Sequence, residues 1–138
     1  MKKQMIIINM ICVVVTMLAL NQVQADGVPL EIELTLSGGA TNVASATFAD
    51  CVSRDVYSSM QLLAVEYDIT GSITNAATLA IKRSADGPTY KSITVASNVT
   101  SGVSFETNVW HWFAGDTIYV PCSGITNAGT VTLICTEQ

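Results

Sequence analysis

Charge is scarce in this sequence, and positive charge scarcest. Only 12% of the 138 residues are charged, six basic against eleven acidic, for a formal net charge of −5. A soluble domain ordinarily carries about 25% charged residues. A chain so poor in Lys and Arg cannot neutralise a phosphate backbone, which excludes nucleic acid as a partner. Histidine occurs once, at His111, and the four cysteines, at 12, 51, 122 and 135, nowhere approach the close Cys-x₂₋₄-Cys spacing of zinc sites. No metal or other cofactor is expected. There is no Gly-x-Ser-x-Gly elbow to present a nucleophile, so chance pairings of His111 with Asp116 and a serine do not make a hydrolytic triad. Proline appears three times, and a sustained helical period is missing beyond the first 25 residues. The length suits one domain and excludes a multidomain enzyme. Low charge together with abundant Val, Ile, Leu and Ala also excludes disorder, because such a chain can bury enough apolar surface to fold.

The first 25 residues have the parts of an export leader. Lys2 and Lys3 precede an apolar run from Met5 to Leu20, and Val23-Gln24-Ala25 puts small residues where a signal peptidase cuts. The run is about 16 residues, shorter than the ~18–20 that span a bilayer, and it contains Asn9. Ile11 before Cys12 is not the small residue that precedes a lipidated cysteine. Residues 1–25 are therefore expected to be a cleaved signal peptide and 26–138 a single secreted domain of 113 residues. Both leading lysines leave with the signal, so four basic side chains then face eleven acidic ones. An acidic, sparsely charged surface of this kind is not drawn to anionic lipid.

Cys51, Cys122 and Cys135 remain, and outside the cytosol two of them should pair. Cys122 and Cys135 each continue the apolar side of an alternating segment, after Ile118/Val120 and Val131/Leu133, which favours a Cys122–Cys135 bridge. Cys51, in a loop-like stretch with Asp50 and Asp55, is then a free thiol, an intermolecular link, or the partner of Cys122.

Alternation with period two recurs along the mature chain. Leu30, Ile32, Leu34 and Leu36 alternate with Glu31, Glu33 and Thr35. Similar segments cover Val43–Phe48, Met60–Thr70, Ala76–Arg83, Tyr90–Val95, Val103–Thr107, Val109–Phe113, Thr117–Cys122 and Thr130–Thr136. Short strands bounded by Gly, Asn, Ser and Asp predict an all-β, two-sheet β-sandwich of about eight strands in jelly-roll or Greek-key order. Ala114-Gly115-Asp116-Thr117-Ile118-Tyr119-Val120 resembles the Gly-Asp turn and penultimate strand common in jelly-roll proteins, a fold-level likeness over seven residues. Three turns, Gly39–Asn42, Gly71–Asn75 and Gly124–Asn127, reuse the same chemistry, Gly and Asn tolerating positive φ and Thr bonding nearby backbone. They are turns of convenience, or they gather at one end as a recognition surface.

Val109-Trp110-His111-Trp112-Phe113 is the most distinctive cluster. On a strand Trp110 and Trp112 share a face, either as a sugar-stacking platform or within a core or subunit contact. Flanked by apolar neighbours, His111 is expected to be structural. Glu66 and Asp68 share a face roughly 6.5–7 Å apart, as do Glu31 and Glu33, spacings within the range of glycosidase carboxylates. Neighbours on one strand more often form a solvated stripe that discourages edge pairing. Asp50, Asp55 and Asp86 are conceivable calcium ligands, but no dense Asp/Asn/Gly loop surrounds them.

Ser, Thr, Ala and Asn stand where Lys and Glu would be ordinary, and such a surface costs little to desolvate at a contact. The expected function is a non-enzymatic structural or adhesive subunit of an extracellular or virion assembly, its partner another copy or another surface protein. The first strand, Leu30 to Leu36, is a candidate for exchange into a neighbour. The alternative is a carbohydrate-binding module using Trp110 and Trp112.

Overall fold

A computed structural model of the chain describes residues 29–52 and 58–138. The expected signal peptide lies outside the described residues. Nine strands follow in order: β1 (Pro29–Leu36), β2 (Asn42–Thr47), β3 (Ser59–Ile69), β4 (Ala77–Ile81), β5 (Lys91–Val95), β6 (Ser101–Phe105), β7 (His111–Phe113), β8 (Thr117–Ser123) and β9 (Gly129–Glu137). One helical turn, α1 (Phe48–Cys51), follows β2.

The strand pairs are nested and all antiparallel. β4 pairs β5, β3 pairs β6 and β7, β2 pairs β8, and β1 pairs β9. Further pairing of β9 with β3 and of β8 with β4 joins these into two sheets, ordered β1-β9-β3-β6, with β7 also on β3, and β2-β8-β4-β5. A long hairpin whose successive pairs alternate between two sheets is a jelly roll. Nine strands fill eight positions because the edge beside β3 is shared. β6 runs along Ala64–Asp68 and β7 along Ser59–Gln61.

Period-two patterning explains most of the core. Ile32, Leu34 and Leu36 of β1 are buried while Glu31, Glu33 and Thr35 are exposed, as the alternation requires. They pack with Leu79 and Ile81 of β4, Ile118 and Val120 of β8, and Val131, Leu133 and Cys135 of β9 in one cluster between the sheets. Fully burying each such aliphatic side chain stabilises by about 1.5–3 kcal/mol.

β3 departs from strict alternation. A bulge at Leu63 shifts its register on β9, with Leu62 opposite Cys135 and Ala64 opposite Ile134. The inward parity therefore changes from Met60 and Leu62 to Val65, Tyr67 and Ile69. Ala64 and Ile134 form a small second cluster with Val103 on the outer side. Consequently β9 is buried on both faces from Ile134 to Glu137.

Phe48, expected to end a strand, instead begins α1. Thr47 keeps extended dihedrals and its Oγ1 accepts the Asp50 N–H at 3.3 Å, a helix N-cap. The strand stops there because the cap redirects the backbone across the end of the sandwich.

Candidate functional site

The two ends of the sandwich carry different chemistry. At one end, where β1 gives way to β2, the three Gly/Asn turns come together. Asn42 is buried at 1% exposure. Its Nδ2 donates to the carbonyls of Asn127 at 2.8 Å and Ile125 at 3.2 Å, and its Oδ1 accepts the Gly38 N–H at 3.1 Å. Asn127 in turn donates to the Thr70 and Ser72 carbonyls at 2.8 and 3.1 Å. Gly38 has φ +82° and the turn brings its Cα against the 126–128 backbone, so a side chain there would be both strained and crowded. The turns do gather, but these two amides are spent on loop carbonyls, which makes the cluster a latch between loops.

The opposite end holds the aromatic residues. β7 pairs β3 with Trp112 opposite Met60, and both side chains are fully buried. Trp110 is 9% exposed and meets Trp112 edge to face, centroids 4.1 Å apart and planes at 71°. Trp112 Nε1 donates to the Lys82 carbonyl at 3.3 Å, whereas Trp110 Nε1 is buried without a partner. Tyr90 covers Trp110 at 4.6 Å. Of the two roles expected for Trp110 and Trp112, burial favours core packing over the alternative of a sugar platform. The indoles do share a face, but it is the inner one, and they are crossed where stacking on a sugar needs exposed, coplanar rings.

Exposed in their place are Tyr90, Val109 and Phe113, of which Tyr90 and Phe113 flank the guanidinium of Arg83. Arg83 Cζ lies 5.0 Å from the Phe113 ring, 5.2 Å from Tyr90 and 5.5 Å from Trp110. Each such contact is worth about 0.5–1 kcal/mol at exposed sites. Its Nε also donates to the His111 carbonyl at 2.8 Å, joined by Nη2, and stands 3.5 Å from Asp116 Oδ2. Asp116 accepts the Phe113 N–H at 2.8 Å. His111 Nε2 meets Gln138 Oε1 at 3.0 Å, so ring and carboxylate have separate partners and form no relay. This corner is a cation held among three rings by backbone and carboxylate. Its rim offers apolar contact area.

The carboxylates occupy the outer face of the β1-β9-β3 sheet. Glu33 and Glu66 both stand opposite Thr132, one on each side, and Glu31 and Ala64 flank Ile134 in the next row. Burial, then the charge of Glu31, pushes the Glu66 carboxyl above the usual carboxylate range. A carboxyl raised in the folded state binds its proton more readily there than in the unfolded chain, so it loses stability as pH rises through the folded value. Glu66→Gln is accordingly expected to raise the urea midpoint at pH 7, and this advantage over the wild type should vanish near pH 3. Among the described residues no group of three His, Cys, Asp or Glu side chains is placed to hold a metal ion. Asp50 is engaged with Thr47 Oγ1 at 2.5 Å, and Asp55 lies outside the described residues.

Cysteine placement corrects the expected pairing. Among the described residues no disulfide joins Cys51, Cys122 or Cys135. Cys122 stands opposite Asn42 at the latch end, whereas Cys135 stands opposite Leu30 near the aromatic end. From Gly129 at the latch end to Cys135 is six residues of β9, about 20 Å at about 3.3 Å per residue. A disulfide tolerates Cα separations only to about 7 Å, so Cys122 and Cys135 cannot bridge within one chain. Cys51–Cys122 fails for the same reason, because β2 runs from Cys122's partner Asn42 to Thr47 at the other end before Cys51 is reached.

Among the described residues no helix is long and apolar enough to cross a membrane. No protein-family model matches this chain. No curated protein matches it either. Among solved structures, it is similar to a chain from Bacillus endospore appendages, described as a novel family of disulfide-linked pili, with 14% sequence identity and a TM-score of 0.44 over 83% of this chain and 90% of that one.

Proposed function

We propose that this protein is a secreted, non-enzymatic structural subunit that assembles with further copies of itself at an extracellular or virion surface. The observation that carries this is the edge strand β2, Asn42-Val43-Ala44-Ser45-Ala46-Thr47. Among the described residues it borders the four-stranded sheet and is paired on its β8 side alone, and it carries no charge and no proline. Monomeric proteins usually blunt such an edge with Lys, Pro or a bulge, because unpaired N–H and C=O groups template pairing with another chain.

Low charge and the exposed corner formed by Tyr90, Val109 and Phe113 support the same conclusion. The two flanks of the sandwich differ: β1 and β2 border one, β5 with β6 and β7 the other. Contact between unlike flanks of successive copies is heterologous and builds rows that do not close on themselves. β1 itself is paired with β9 along its whole length, from Pro29↔Thr136 to Leu36↔Gly129, so exchange of this strand would require it to leave its own sheet.

Light scattering over a concentration series tests the proposal. The wild-type mass should grow with concentration, and Ser45→Lys, an exposed substitution on the outer side of β2, should abolish the growth while leaving the circular dichroism unchanged. A wild-type chain that stays monomeric at every concentration would sink it.

A further inference from the structure

Cys122 lies at the latch end, whereas Cys51 lies in the crossover that begins at the other end of β2. The crossover leaves β2 at Thr47, opposite Thr117, and its first residue, Phe48, donates its N–H to the Asp116 carbonyl at 3.0 Å. It rejoins the other sheet where the N–H groups of Ser58 and Ser59 donate to the Gln138 carbonyl, at 3.0 and 3.2 Å. The crossover is thus pinned at one side to the start of β8 and at the other to the residue three beyond Cys135. Cys51 lies between these points, half-buried, with its side chain against the core cluster to which Cys135 belongs.

We propose that Cys51 and Cys135 form an intrachain disulfide that ties the crossover to β9. Both side chains meet the same interior cluster away from the latch end, Cys51 from the crossover that follows Thr47 and Cys135 from β9 opposite Leu30. Burial, then the charge of Cys51, pushes the Cys135 thiol up. Chemically, the Cys51 thiolate attacks an oxidised disulfide, either of a thiol–disulfide oxidoreductase or of glutathione. It forms a mixed disulfide and expels one thiolate. The Cys135 thiolate then displaces the second, leaving the protein S–S bond, with two electrons passed to the oxidant and two protons released. Cys51 is the more accessible of the pair and is the attacking thiol. Cys135 is fully buried and its thiol is pushed up strongly, so it reacts before folding seals it. The bond should therefore form during folding, and the folded, reduced chain should oxidise roughly tenfold or more slowly than a refolding one. Cys122, half-buried with its thiol pushed up to about 11, is left as the unpaired cysteine.

The test uses the purified full chain refolded in a glutathione redox buffer, so it does not depend on export or on self-assembly. After the remaining thiols are blocked with N-ethylmaleimide, chymotryptic peptides are mapped without reduction; Leu133 offers a cut between Cys122 and Cys135. The expected result is a linked pair of peptides containing Cys51 and Cys135, retained in Cys122→Ser and absent from Cys51→Ser. Oxidation should raise the urea midpoint of the wild type and of Cys122→Ser but not of Cys51→Ser. Because Cys135→Ser would bury a hydroxyl at a fully enclosed position, Cys135→Ala serves as the second arm and should likewise lose the link. Cys51 and Cys135 left unlinked after oxidative refolding, or a bridge involving Cys122, would overturn the proposal. A link that forms in the buffer but is missing from protein isolated from its producing cells would count against export and leave the pairing standing.

Discussion

Trp112→Ala is expected to lower the unfolding free energy by about 3–5 kcal/mol, read as a fall in the urea midpoint at unchanged slope. Trp112 is fully buried, stands opposite Met60 and meets Trp110 edge to face. Truncation leaves a cavity that neither sheet can close without breaking strand pairing, and it also frees the Lys82 carbonyl from its indole donor. Such a loss is a large part of the 5–15 kcal/mol that holds an ordinary domain together. The neighbouring Phe113→Ala provides the contrast. Its ring is 48% exposed and its main contact is the Arg83 guanidinium, so the expected cost is about 1 kcal/mol or less. Equal losses at both positions would mean that the indoles do not point inward.

Asn42→Asp should be the most damaging polar substitution at the latch end. The amide donates to two carbonyls and accepts one N–H, all without exposure to solvent. A carboxylate of the same shape keeps the bond from Gly38 but sets a buried negative charge against two carbonyl oxygens. Leaving such a charge unpaired costs about 3–5 kcal/mol. Asn42→Ala removes the bonds without adding charge and should cost about 1–3 kcal/mol. The sign with pH separates the two. The carboxyl introduced by Asn42→Asp is raised in the folded state, so its penalty should shrink as pH falls through the carboxylate range, while that of Asn42→Ala should not change. Urea midpoints at pH 7 and pH 4 check this, and a pH-independent deficit in Asn42→Asp would contradict the buried latch.

Both predictions rest on features that alternation alone could not supply. In β1 the pattern is unambiguous, because Glu31 and Glu33 cannot share the inner face with Leu34. In Val109–Phe113 both faces are apolar, so period two places the tryptophans together without saying which way they point. The decision is made by Met60 and Tyr90, which arrive from β3 and from the residue before β5. β3 reads as one long apolar segment, and its bulge at Leu63 is visible only once β9 supplies a register. The Thr47 cap had a local signal, Thr47 followed three residues later by Asp50, which resembles a capping box with Asp in place of Glu.

Sequence alone determined the fold class, the inner face of β1 and the outward placement of Glu31 and Glu33, because each follows from which side chains tolerate removal from water within a strand. Tertiary structure decided the inward turn of the tryptophans, the parity change in β3 that turns Glu66 and Asp68 outward, the gathering of the three Asn turns and the separation of Cys122 from Cys135. These depend on which ends of distant strands coincide, and that is set by how the long hairpin rolls up, information that no local window of residues contains.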